Sequence, residues 1–147
     1  EEGFPAAVPV VKESEWAGAA DMKQPLATLF TVGANDEINF GYFERPTVGP
    51  SSIQYYADDA VPELSGKLLS TAMKHGAIYA IDPAASGDEA KFTKYYLGQN
   101  RLRDLEIVDG GKTIFLVTDS AGGVLNAAGE GVSELENPGA ILVYTAK

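Results

Sequence analysis

The sequence predicts an all-β chain, and three observations carry that expectation. Gly (16) and Pro (8) are spread along 147 residues and cut the chain into short pieces. The pieces between them are rich in Val, Ile, Leu, Phe, Tyr and Thr, the residues that suit a pleated, half-buried surface. None of them holds the 3.6-residue apolar period of a helix long enough to matter.

Taken in order, residues 1–25 read as a lead-in, with Val10–Met22 as a short helical or irregular part. From about residue 26 to 147 the chain reads as strands: Leu26–Val32, Ile53–Tyr56, Lys67–Ala72, Ala77–Ile81, Lys91–Leu97, Leu105–Val108, Thr113–Thr118 and Ile141–Thr145. Asp109-Gly110-Gly111-Lys112 separates two of them and signals a tight hairpin. One domain spanning 1–147 accounts for the length.

A weak internal repeat sharpens the class. Gly66-Lys67 opens Leu68-Leu69-Ser70-Thr71-Ala72, and Gly111-Lys112 opens Thr113-Ile114-Phe115-Leu116-Val117. That spacing falls within the ~40–50 residues of a β-propeller blade. Gly76-Ala77-Ile78 and Gly139-Ala140-Ile141 form a second matched pair, spaced further apart because the loop Ser120–Pro138 is longer in the second copy. Small antiparallel sheets of this kind bury their faces by stacking on one another, which is the propeller arrangement.

Charge and composition exclude several function classes. The formal net charge is −10, and no Lys/Arg cluster offsets it, so nucleic acid and anionic lipid surfaces are poor partners. No apolar run reaches the ~18 residues of a membrane-spanning helix. With no cysteine, disulfides and thiolate zinc sites are impossible. Gly111-Lys112-Thr113 looks like the end of a phosphate-binding loop, but Glu106 stands where that motif needs Gly and a strand pattern follows instead of a helix. The glycine-rich stretch Gly122–Gly131 carries no nucleotide fingerprint and reads as a flexible loop. Asp58-Asp59 and Asp88-Glu89 lack calcium-loop spacing and read as solvated turns. His75, the single histidine, reads as a surface turn residue.

Asn100-Arg101-Leu102-Arg103-Asp104 is the informative polar cluster. In an extended segment, period two sets Arg101 and Arg103 on one face. Two guanidiniums side by side repel unless an anion lies between them, and their forked donors suit carboxylate or phosphate. Two readings fit: local pairing with Asp104 or Asp119, or a small-anion site.

Five segments then carry a family resemblance: Val8-Pro9-Val10-Val11-Lys12-Glu13-Ser14-Glu15-Trp16, Pro46-Thr47-Val48-Gly49-Pro50-Ser51-Ser52, Asn100–Asp104, Val117-Thr118-Asp119-Ser120-Ala121-Gly122 and Leu135-Glu136-Asn137-Pro138-Gly139. In this order and spacing they resemble the C-terminal portion of soluble pyrroloquinoline-quinone (PQQ)-dependent glucose dehydrogenases, of the glucose/sorbosone dehydrogenase family. The resemblance runs from about Val8 to Lys147. It implies the C-terminal blades of a six-bladed propeller, in a periplasmic or secreted protein. It further implies that Lys74, Arg101 and Arg103 hold the carboxylates of PQQ, with Asp119, Tyr42 and Thr47 also at the cofactor site. The implied reaction is oxidation of an aldose at C1 to a lactone, by hydride transfer to PQQ and with an external electron acceptor.

Three departures accompany it. The family's general-base histidine and calcium ligands belong to segments upstream of this chain's match, so His75 is not the base and no catalytic residue or metal ligand is assigned here. Arg45 stands near the sugar where the family has an aromatic wall. The cysteines that staple the Asn35–Arg45 loop are absent, so that loop is expected to be held differently or to be mobile. As part of a propeller, the chain is expected to need a remaining propeller segment, a companion chain or a homodimeric partner. The alternative reading is a non-catalytic propeller module that binds carbohydrate or a protein partner.

Overall fold

In a computed structural model of the chain, the described residues are 19–21, 25–29, 41–45, 47–85 and 91–147. The β-rich runs of the sequence form two antiparallel sheets. The first contains β1 (Pro50–Tyr56), β2 (Lys67–Ala72), β3 (Ala77–Ile81) and β4 (Phe92–Tyr96) in simple sequential order. The second contains β5 (Leu102–Val108), β6 (Thr113–Thr118) and β9 (Ile141–Thr145). Between β6 and β9 lies a small hairpin of β7 (Val124–Leu125) and β8 (Gly131–Val132). The chain is all-β in these residues apart from a 3-10 turn at Ala19–Asp21, and the two stacked sheets are blades of a partial β-propeller.

The repeat seen in the sequence is the repeat of the blades. Gly66-Lys67 and Gly111-Lys112 lead into the second strand of each sheet, and Gly76 and Gly139 precede the third. Gly66 (φ 74°) and Gly111 (φ 80°) share the left-handed conformation that a side chain resists, which is why the same residue recurs at both. The Asp109–Lys112 turn forms as expected, with left-handed residues from Asp109 to Gly111.

One core lies between the blades. Leu69, Ile78, Ala80 and Tyr56 from the first sheet meet Leu102, Leu105, Ile114 and Leu116 from the second. Each fully buried leucine contributes about 1.5–3 kcal/mol. Polar clips run along the seam between β1 and β5. At one end the Ser51 hydroxyl donates to the Leu102 carbonyl (2.7 Å), in the middle the Ile107 N–H donates to Gln54 Oε1 (3.0 Å), and at the far end the Tyr56 hydroxyl donates to the Gly111 carbonyl (2.7 Å).

The stack has apolar groups on both of its outer sides. Ile53 and Tyr55 of β1 are exposed on one, and Val117, Ile141 and Val143 on the other. In the second sheet β9 pairs only with β6, so its other edge is open among the described residues. These are the faces on which further blades of a propeller would stack.

Several sequence expectations are corrected. Residues 25–29 are not a strand; Leu29 packs on Val48, Ala72, Ala77 and Tyr79 as cover for the first sheet. The rest of that expected strand, and most of Val10–Met22, lie outside the described residues. β1 and β5 begin three residues earlier than the apolar pattern suggested, at Pro50 and Leu102, because pairing with β2 and β6 continues through polar residues. The supposed flexible loop Gly122–Gly131 contributes to the β7–β8 hairpin.

Candidate functional site

The segments that matter converge at one end of the blades. Lys74 follows β2, Arg101 precedes β5, Asp119 follows β6, and the turn Gly41–Arg45 and Thr47 precede β1. Because β1 and β2 run antiparallel, Met73 and Lys74 continue the ladder onto Gly49 and Val48, with backbone bonds of 2.8 and 3.1 Å. In the second blade the Asp119 N–H donates to the Arg101 carbonyl (2.9 Å), extending the β5–β6 pairing by one step.

That step sets the arginine pair. Arg101 Nε donates to Asp119 Oδ2 (3.1 Å), while Arg103 donates through Nε to Oδ1 (2.8 Å) and through Nη2 to Oδ2 (3.0 Å). The register shifts between Leu102 and Asp104, so Arg103 sits at a bulge that aims its side chain at the same carboxylate. Of the two pairing partners the sequence offered, Asp119 is the one used; Asp104 instead accepts hydrogen bonds from the Ser52 side chain and its neighbour Leu105. Burial would raise the Asp119 pKa, but the hydrogen bonds and charges of Arg103 and Arg101 outweigh it and hold the carboxyl below its ordinary range. The Arg101 side chain is 16 % exposed and Arg103 53 %, so Arg103 presents more of its guanidinium to solvent.

Arg101 is a hub. Its Nη1 donates to the Gly123 carbonyl (2.8 Å) and to the Tyr42 hydroxyl (3.2 Å), and its Nη2 lies 3.8 Å from the Met73 sulfur. The Tyr42 oxygen also accepts from the Gly123 N–H (3.2 Å). Lys74 reaches the same turn, with Nζ donating to the Arg45 carbonyl at 2.5 Å. Burial lowers the Lys74 pKa, and the charge of Glu44 partly restores it. Thr47 is exposed; its hydroxyl accepts from the Gly49 N–H (3.0 Å) and so shapes the chain between the turn and β1.

Of the residues singled out from the sequence, Arg101, Arg103, Asp119 and Tyr42 form one bonded cluster, Lys74 and the Thr47 N–H (2.8 Å) meet on the Arg45 carbonyl, and the turn from Tyr42 to Arg45 joins the two groups. Lys74, Arg101 and Arg103 lie at this end with the carboxylates of Glu44 and Asp119 close to them, in a chain of net charge −10. Forked guanidinium donors and an ammonium are groups suited to carboxylate or phosphate. His75 departs from expectation: it is half-buried, with Nδ1 2.7 Å from the Tyr79 hydroxyl. Burial first, then the charges of Lys94 and Lys74, lower its pKa to about 4, so the ring is neutral near pH 7. No group of three or more potential metal-ligating side chains occurs among the described residues.

The family model for glucose/sorbosone dehydrogenases matches residues 34–126. The chain belongs to the glucose/sorbosone dehydrogenase family. It is 35 % identical over 154 aligned residues to quinoprotein glucose dehydrogenase B of Acinetobacter calcoaceticus, an alignment that takes in 97 % of this chain and 32 % of that protein. The chain therefore spans about a third of the length of the curated relative it matches.

Sequence reasoning missed three parts of this end of the fold. Asn100 is buried, and its Oδ1 accepts the Asn137 N–H (2.9 Å), which pins the Leu135–Gly139 segment beside the site. Asn in both motifs was a signal available in the sequence. Leu125 donates to the Lys74 carbonyl (2.7 Å), docking the β7–β8 hairpin next to the lysine. Phe43 was not singled out at all, and a glycine spacing in the loop was its only trace.

Proposed function

We propose that this chain is the part of a PQQ-dependent aldose dehydrogenase that grips the cofactor's carboxylates. One observation carries the reading: Lys74, Arg101 and Arg103 are drawn to one end of two blades in an otherwise acidic protein. The donor set fits a small polycarboxylate. Arg103 is half-exposed and forked, Arg101 is held by fixed partners, and Lys74 adds a point charge.

When bound, PQQ supplies the two-electron acceptor for hydride leaving C1 of the sugar, which becomes a lactone, with calcium as Lewis acid. The residues of this chain bind and orient. Asp119 bonds both guanidiniums and offsets their mutual repulsion. Tyr42 covers Arg101, and Thr47 and Arg45 stand on the sugar side. With Arg45 in place of an aromatic, stacking on a sugar ring gives way to hydrogen bonding with hydroxyls. The general base and calcium ligands are assigned to other segments.

The exposed faces carrying Ile53 and Tyr55, and Val117, Ile141 and Val143, support further blades as partners, from a remaining propeller segment, a companion chain or a second copy. A periplasmic or secreted location and an external electron acceptor complete the reading. Dye-linked oxidation of aldoses by the full-length protein with PQQ and calcium tests it. Turnover with a PQQ absorbance change supports it; tight sugar or protein binding with no response to PQQ favours the non-catalytic module.

A further inference from the structure

With no cysteine, the turn over the cation cluster needs another fastening, and the structure shows one. Phe43 lies between two glycines of the following insert. A Cβ built at Gly123 would come 2.5 Å from Phe43 Cζ, and one at Gly131 would come 2.5 Å from Phe43 Cγ. Neither glycine has positive φ, so backbone conformation does not explain them. They are glycines because the ring occupies the space a side chain would take. Gly131 lies in β8, paired with Leu125 of β7, and the Asn126 side chain caps the connecting turn by accepting from the Ala128 and Glu130 N–H groups at 2.9 Å. The slot is thus a braced hairpin.

The same ring packs edge-on against Tyr42, with centroids 5.0 Å apart and planes at 85°. Tyr42 in turn bonds Arg101 and Gly123, and three residues further on the Arg45 carbonyl takes the Lys74 ammonium. The hairpin itself is tied to the Lys74 backbone through Leu125. One aromatic side chain therefore fixes a turn whose two ends touch two different cations. The turn's hydrogen bonds to both cations come from neutral oxygens, while Asp119 and Glu44 supply the carboxylates nearest Arg101 and Lys74.

We infer that Phe43, seated in the Gly123/Gly131 slot, is a positioning residue that pre-sets Lys74 and Arg101 for the cofactor's carboxylates, in place of a covalent staple. The inference rests on the PQQ reading above. Phe43 touches no cofactor; it acts through Tyr42 and Arg45.

The test is a PQQ titration of the full-length apoprotein, followed by absorbance in the presence of calcium, with hydrogen exchange at the Gly123 amide as a cofactor-independent readout. Phe43→Ala is expected to weaken PQQ binding by about tenfold to a hundredfold, the range that small mispositioning produces. Phe43→Leu should recover part of the loss. Gly131→Ala should weaken binding by expelling the ring, and the double variant Phe43→Ala/Gly131→Ala should be no worse than Phe43→Ala alone. Gly123 exchange should accelerate in Phe43→Ala without PQQ. If Phe43→Ala fails to fold, Phe43→Leu and Gly131→Ala decide. Wild-type affinity in these variants, or losses that multiply in the double variant, would overturn the positioning role. A wild-type protein that takes up no PQQ overturns the cofactor reading instead; Gly123 exchange then decides the anchoring by itself, unchanged exchange in Phe43→Ala refuting it.

Discussion

Replacing Tyr56 by Phe removes a single oxygen, and its effect follows from three facts. The side chain is fully buried, its hydroxyl donates to the Gly111 carbonyl at 2.7 Å, and it accepts from the Val61 N–H at 3.0 Å. The hydroxyl therefore ties the end of β1 to the β5–β6 turn of the other blade and to the loop before β2. In Tyr56→Phe the Gly111 carbonyl and the Val61 N–H lose their partner. An unsatisfied buried group costs ~1–3 kcal/mol, so the pair should cost about 2–4 kcal/mol after partial relaxation. For a domain of this size that corresponds to a fall in Tm of roughly 5–15 °C. Urea unfolding and a thermal melt measure it. The bridge lies at the end of the seam away from Arg101 and Lys74, so PQQ affinity should not change. A stability loss below about 0.5 kcal/mol, the size of an ordinary surface substitution, would refute the bridging argument. Lost PQQ affinity at retained stability would refute the placement of the site.

Three further outcomes are expected. His75 has a folded pKa of about 4, below its free value of 6.5, so the unfolded chain takes up a proton in this window and the folded one does not. Its contribution therefore holds above about pH 6.5 and is lost as pH falls toward 4; solvent screening of the half-exposed ring limits it to ~1–2 kcal/mol, visible as a shallower pH–stability slope in His75→Gln. Arg101→Lys keeps the charge but not the fork that serves Asp119, Gly123 and Tyr42, and should weaken PQQ binding about tenfold or more in a titration, since charged hydrogen bonds are worth ~1.5–3 kcal/mol. Val143→Asp places a charge on the exposed face of β9, and in a full-length propeller, where another blade would cover it, should cost more than ~2 kcal/mol in a denaturant melt.

What the sequence revealed depended on whether one residue run carried the signal. The strands β2, β3, β6 and β9 were legible because each is a short run of apolar residues and Thr or Ser behind a glycine with positive φ, and the glycine pairs exposed the blade repeat. Leu26–Leu29 is equally apolar, yet it covers the first sheet instead of joining a ladder, a choice made by Val48, Ala72 and Tyr79. The β7–β8 hairpin has strands of two residues and no run to see; backbone bonds such as Leu125 to Lys74 create it. Arg101 and Arg103 were legible as a pair, while the bulge that turns both toward Asp119 belongs to the β5–β6 register. His75 read as a surface residue because its partner, Tyr79, is supplied by the strand that folds back beside it. The slot for Phe43 looked like loop composition because glycine chosen for space and glycine chosen for flexibility are the same letter.

The central claim is that the cations of this chain hold the quinone's carboxylates, and a PQQ titration of the full-length protein against Arg101→Ala and Arg103→Ala tests it most directly. Each loss of a charged hydrogen bond should cost ~1.5–3 kcal/mol, a fall in affinity of about tenfold to 150-fold, with the Arg103→Ala fold left intact because that side chain is half-exposed. Wild-type protein that binds PQQ while both variants bind it equally well would contradict the claim.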